Sequence, residues 1–187
     1  RAIYVADVNF DLLNFKEFYS HGSTSKCKTP HTGGAGRMAL YDDNGNLSII
    51  ISTHVPINEN HILLENNNYK SKSIYSRKKD TVMLLVNLQT KKSRPFTSGH
   101  RNPQGLLVNE KNIIISTEHG PRGGDEINKI IEGNNYGWPF KSYGEGGENF
   151  TSNHSEHGFT EPIYAFIPSI AISQIIQVPQ EFSQRWQ

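Results

Sequence analysis

The chain has a single cysteine, Cys27, among its 187 residues. One thiol excludes a disulfide framework and a thiolate metal site within this sequence. Long apolar runs are also missing. The apolar runs present, such as residues 47–51 and 113–115, fall far short of the roughly 20 residues that a membrane-spanning helix needs. An excess of one charge is absent too: 19 basic residues face 18 acidic ones, for a net charge of +1. Basic residues cluster only at Arg77-Lys78-Lys79 and Lys91-Lys92, which argues against nucleic acid as the main partner. No segment has the length and pattern of a long amphipathic helix. No signal-type apolar run opens the chain, which starts on Arg1 with residues 3–5 already reading as the end of a strand. A preceding N-terminal part is therefore expected.

What is present is β-rich. Short runs of β-branched and aromatic residues recur between turn signals at residues 2–5, 38–41, 47–52, 82–87, 105–108, 112–117 and 163–166. Residues 38–41 and 47–52 flank Asp42-Asp43-Asn44-Gly45-Asn46, where Asn-Gly supplies the positive φ of a tight hairpin. Residues 106–108 and 112–116 repeat the design around Asn109-Glu110-Lys111. Two such hairpins about sixty residues apart fit propeller blades with long inserted loops. Residues 58–79, rich in Asn, Lys and Ser, read as one such insertion, and residues 143–158 as a glycine-rich loop. Residues 126–132 form at most a strand or a single turn. The class is all-β.

The densest polar signal is Gly99-His100-Arg101-Asn102-Pro103-Gln104-Gly105, followed by Thr117-Glu118-His119-Gly120-Pro121-Arg122-Gly123-Gly124-Asp125-Glu126 and Asn135-Tyr136-Gly137-Trp138-Pro139. Arg101 offers a planar fork for a carboxylate or quinone oxygen, with the amides of Asn102 and Gln104 beside it. The Gly120-Pro121 turn next to Asp125 and Glu126 has the oxygen-rich character of a hard-cation site. A structural salt bridge between Arg101 and Asp125 or Glu126 is the plainer alternative. The histidines His21, His54, His61, His100, His154 and His157 lack the spacing of a tetrahedral metal site and read as surface or loop residues. Trp138 reads as a packing anchor.

In order and spacing, these loops resemble the soluble quinoprotein glucose/sorbosone dehydrogenases, from about His31 to the C-terminus. The resemblance implies a six-bladed β-propeller, of which residues 1–187 would form about three blades as part of a longer chain. It implies pyrroloquinoline quinone (PQQ) and calcium as cofactors. Arg101 and Asn102 would contact the quinone oxygens, His119 the cofactor, and Ser169 would stand in for a family threonine as a hydroxyl donor. The carbonyls of Gly120 and Pro121 would bind the cofactor calcium. Glu126 and the Tyr136 carbonyl would bind a structural calcium, with Asp125 as a further contributor. Tyr164 would either line the sugar side or sit in the core.

The resemblance also places the catalytic base at His31, with Arg101 stabilising the developing oxyanion. Here the sequence departs from the family's pattern. Six positions separate His31 from Arg37, more than is usual, and Pro30 stands where an acid is expected. The implied function is oxidation of an aldose-type sugar by hydride transfer to PQQ, electrons passing to an external acceptor, in a periplasmic or secreted protein. The alternative is a non-catalytic calcium-binding propeller for protein or glycan interaction. Completion of the ring by further copies, a homo-oligomer, is a further expectation.

Overall fold

The computed structural model describes residues 2–7, 13–20, 36–53, 82–138, 140–144 and 153–183. Within them the chain forms ten strands, a single 3-10 turn at Ser155–His157 and one short helix, α1 (Gln180–Ser183). The first two strands, β1 (Ala2–Val5) and β2 (Lys16–Ser20), pair as an antiparallel ribbon. Two four-stranded antiparallel sheets follow. One runs β3 (Met38–Asp43), β4 (Asn46–Ser52), β5 (Met83–Asn87), β6 (Ser93–Thr97), each strand beside its predecessor. The other runs β7 (Pro103–Val108), β8 (Ile114–Glu118), β9 (Asp125–Ile130), β10 (Tyr164–Phe166) in the same fashion. Consecutive four-stranded meanders are propeller blades.

The β3–β4 turn forms as its sequence predicts. Asn44 and Gly45 take φ of 53° and 83°, and the Gly45 amide donates to the Asp42 carboxylate. Two strands carry no such signal. β6 holds Pro95, which has no amide to donate, and it is an edge strand whose neighbour in the sheet is β5 alone. β2 is polar at both ends and half-buried only at Phe18 and Tyr19. The predicted insertion at residues 58–79 lies outside the described residues.

The sheets pack face to face through one shared core: Ile50, Met83, Leu85 and Phe96 from the first, Leu106, Ile114 and Ile130 from the second, and Tyr136. Polar bonds pin the same seam. Asn112 and Asp42 exchange two hydrogen bonds, side-chain oxygen to amide at 3.1 Å and side-chain nitrogen to carbonyl at 2.7 Å. Arg37 donates from Nε to the Gln104 carbonyl at 2.7 Å and from Nη2 to the Ser173 carbonyl at 3.3 Å. These contacts hold β7 against β3 and fix where the loops at the ends of β7, β8 and β9 stand.

Candidate functional site

Register brings the polar motifs together. Pro103 at the start of β7 pairs with Glu118 at the end of β8, and Glu118 pairs with Glu126 near the start of β9. The adjoining loops therefore meet at one end of the second sheet. Arg101, His119, Gly120, Glu126 and Tyr136 line one small cavity there, together with Glu118, Trp138, Lys141 and Ser142. The cavity holds about 10 Å³, room for a single water-sized particle.

Arg101 is half-buried; its Nη1 donates to the His119 carbonyl at 3.1 Å and its guanidinium lies 5.4 Å from the Trp138 ring. The Asn102 side-chain oxygen accepts from Gln104 at 2.7 Å, and its carbonyl accepts from the His119 amide at 3.1 Å. His119 Nε2 is buried with no hydrogen-bond partner. An orphaned donor or acceptor of this kind costs about 1–3 kcal/mol unless something occupies the site.

The turn at Gly120 tolerates no side chain. A Cβ there would lie 1.9 Å from the Gly123 carbonyl oxygen. Gly124, at φ +66°, would bring a Cβ within 2.1 Å of the Gly144 amide. Pro121 packs in the same crowd, within reach of Gly144.

The two acids after this turn behave differently. Asp125, 1% exposed, accepts from the Gly120 amide at 3.1 Å, from Ile170 at 3.1 Å and from Ala171 at 2.6 Å. Burial alone would raise its pKa. Hydrogen bonds from the Ser169 hydroxyl and the Gly120, Ala171 and Ile172 amides outweigh burial and hold the carboxyl below its ordinary value. Asp125 is thus a clamp between the Gly120 turn and the 169–172 segment, and its oxygens are committed to the chain itself. Glu126 is pushed up to about 8 by burial first and by its cross-strand neighbour Glu118 second. Asn128 Nδ2 donates to Glu126 at 3.2 Å, and His154 Nε2 stands 3.9 Å away.

The structure brings together Arg101, Asn102, His119, Gly120, Pro121, Glu126 and Tyr136. Ser169 joins them only through Asp125, which takes its hydroxyl. His31 lies outside the described residues. Tyr164 is 56% exposed and meets Phe166 edge-on at 4.7 Å, which corrects its alternative placement in the core. His100 and His154 correct the surface reading outright, being 0% and 1% exposed. The His154 ring nitrogens have no hydrogen-bond partner; Nδ1 lies 3.5 Å from Glu161, and burial lowers its pKa against the pull of that carboxylate. Sequence reasoning also gave Glu118 no role, although an acid at the last position of a buried strand, facing a loop of backbone amides, was a usable signal.

Comparison with known proteins bears on the family and the fold. The family model for glucose/sorbosone dehydrogenase matches residues 83–187, from β5 to the end of the chain. The aldose sugar dehydrogenase YliI of Escherichia coli is 36% identical over 97 residues, covering 49% of this chain and 26% of that protein. Quinoprotein glucose dehydrogenase B of Acinetobacter calcoaceticus is 51% identical over 47 residues, 25% of this chain and 10% of that one. The chain thus spans about a quarter or less of the length of these curated relatives. A glucose dehydrogenase crystal structure superposes with a TM-score of 0.59 at 26% identity, over 90% of this chain and 50% of that one. The soluble aldose sugar dehydrogenase of Escherichia coli, in the apo-form, has the same fold, with a TM-score of 0.62 at 23% identity over 92% and 51% of the two chains.

Proposed function

Because the chain belongs to the glucose/sorbosone dehydrogenase family, we propose that the whole protein is a quinoprotein oxidoreductase that oxidises an aldose-type sugar with PQQ and calcium. The observation that carries this reading is the half-buried Arg101 beside the orphaned His119 Nε2, above a cavity of single-ion size walled by Glu118 and Glu126. Those residues fit the cofactors. An arginine fork and a free imidazole nitrogen suit an anionic quinone. The Glu126 carboxylate beside backbone carbonyls suits calcium, which takes oxygen ligands. A cation beside Glu126 would relieve the repulsion and burial that raise its pKa.

In this reading PQQ, when bound, supplies the hydride acceptor. Arg101 and Asn102 would hold the quinone oxygens, and Arg101 would stabilise negative charge developing there. His119 would give the cofactor a partner for Nε2. Ser169 would do so only by exchanging its bond to Asp125. The Gly120 and Pro121 carbonyls would hold the cofactor calcium, and Glu126 with the Tyr136 carbonyl the structural one. His31 would take the proton of the anomeric hydroxyl. Electrons would leave to an external acceptor, in a periplasmic or secreted setting. The spacing of His31 from Arg37, and the commitment of Arg37 to the Gln104 and Ser173 carbonyls, favour a second reading, a calcium-stabilised propeller without catalysis.

PQQ titration of the full chain with calcium, followed by aldose-driven dye reduction, separates the two. Tight binding with sugar-dependent reduction supports the dehydrogenase. Arg101→Ala should weaken PQQ about 10- to 100-fold, as loss of a charge-assisted hydrogen bond does, with only a small fall in melting temperature from the lost bond to the His119 carbonyl. Equal PQQ affinity in that variant would sink the assignment, and no binding by the wild type would leave the non-catalytic propeller.

A further inference from the structure

Glu118 is 4% exposed, and its carboxylate gathers three donors. Its Oε1 accepts from the backbone amides of both Arg101 and Asn102, the latter at 3.2 Å. Its Oε2 is 3.0 Å from His100 Nδ1. His100 is fully buried, with Nε2 2.9 Å from the Thr97 hydroxyl and its ring stacked on Tyr136 at 4.6 Å and 25°. A carboxylate facing Nδ1 places the proton there, so in the neutral ring Nε2 accepts from the hydroxyl of Thr97. Every polar atom of this chain of contacts has a partner, and none of the partners is solvent-exposed loop side chain. Two successive amides converging on one oxygen fix the backbone of residues 101 and 102 from below.

We propose that Glu118, locked by His100, is a positioning residue that sets the backbone of Arg101 and Asn102, and so the aim of their side chains at the cofactor. The effect on the cofactor rests on the function proposed above; the effect on the backbone stands on this geometry alone. Outer partners of this kind change ligand affinity about 10- to 100-fold when removed, because the groups they orient lose their aim. Glu118→Gln is the sharp variant: it removes the charge that strengthens both amide bonds, and its single remaining oxygen can keep the amides only if its amide nitrogen turns to His100, whose proton must then move to Nε2.

The test uses the full chain, wild type and Glu118→Gln, with two readouts. Hydrogen exchange at the Arg101 and Asn102 amides, in protein without added quinone, should accelerate at least about tenfold, as loss of a hydrogen bond to a charged group predicts. The PQQ dissociation constant, read by tryptophan fluorescence, should rise about 10- to 100-fold. Exchange in β3 to β6 should not move. Thr97→Val, which only unpins His100, should give about a threefold to tenfold change in the same amides and carries the test if Glu118→Gln does not fold. Unchanged exchange at both amides overturns the proposal. Faster exchange with unchanged affinity, in a protein whose wild type binds PQQ, overturns its cofactor arm. A wild type that ignores PQQ overturns the proposed function instead, and exchange alone then decides the role of Glu118.

Discussion

The two four-stranded sheets share a topology and differ in what they bury. The first hides Ile50, Met83, Leu84, Leu85, Val86 and Phe96, and its buried polar residues are the small hydroxyls of Ser48, Ser52 and Thr97. The second hides Leu106, Ile114 and Ile130 but also Ser116, Thr117, Glu118, Asp125, Glu126 and Asn128. Burying carboxylates is unfavourable unless donors meet them. For Glu118 and Asp125 the second sheet meets that demand with loop amides, and in doing so ties loops down. The comparison teaches that one sheet supplies apolar mass to a shared core, while the other uses the same backbone pairing to organise polar loops at its strand ends.

Mutation should separate these roles. The largest effect is expected from Ile50→Ala in the shared core, about 2–5 kcal/mol of unfolding free energy, measured by denaturant titration. PQQ affinity of the folded protein should not change; a parallel loss of affinity would dissolve the distinction between the sheets. Asp125→Asn comes next, at about 1–3 kcal/mol, since an amide nitrogen would oppose the donors around it. Here pH gives an independent reading. The folded pKa of Asp125 is depressed, so its contribution is present above the ordinary value of 3.8 and is lost as pH falls through the folded value. Wild type should therefore lose stability more steeply than Asp125→Asn on acidification below about pH 4. The smallest effect belongs to the seam. Arg94, 40% exposed, bonds Asp43 within the first sheet at 3.0 Å and also Glu132, just past the end of β9, so it ties the first sheet to the loop that leaves the second. Arg94→Ala should cost about 0.2–1 kcal/mol, less in high salt.

Much of the fold was legible because its signals are local. Asn44-Gly45 announced the β3–β4 hairpin, and short β-rich runs between turn signals gave β1, β3, β4, β5, β7, β8 and β10 to within about two residues. β6 was hidden by Pro95, since edge strands need fewer amides than sequence patterns assume. The loops bearing Arg101, His119 and Glu126 were legible from residue type and order. What was not legible is which acid serves the chain and which faces the cavity. Asp125 and Glu126 are adjacent in sequence, yet strand alternation sends one to the 169–172 segment and the other toward Glu118. His100 was equally hidden, because nothing in Gly99-His100-Arg101 marks the middle residue as the buried one.

The clamp at Asp125 also bears on the order in which the molecule assembles. β7, β8 and β9 join through short connections, whereas β10, which sets Phe166 beside Asp125, and the segment after it, 45 to 47 residues from Asp125, close a long loop. Closing the longer loop loses more chain entropy and gains only a few bonds. β10 and the 169–172 segment should therefore dock after β7 to β9 have paired, and in the native protein they should open before those three strands do. Exchange at the Ile170 and Ala171 amides faster than in β8 would show this, and would mean that this edge of the site is a late-closing latch on an otherwise finished sheet.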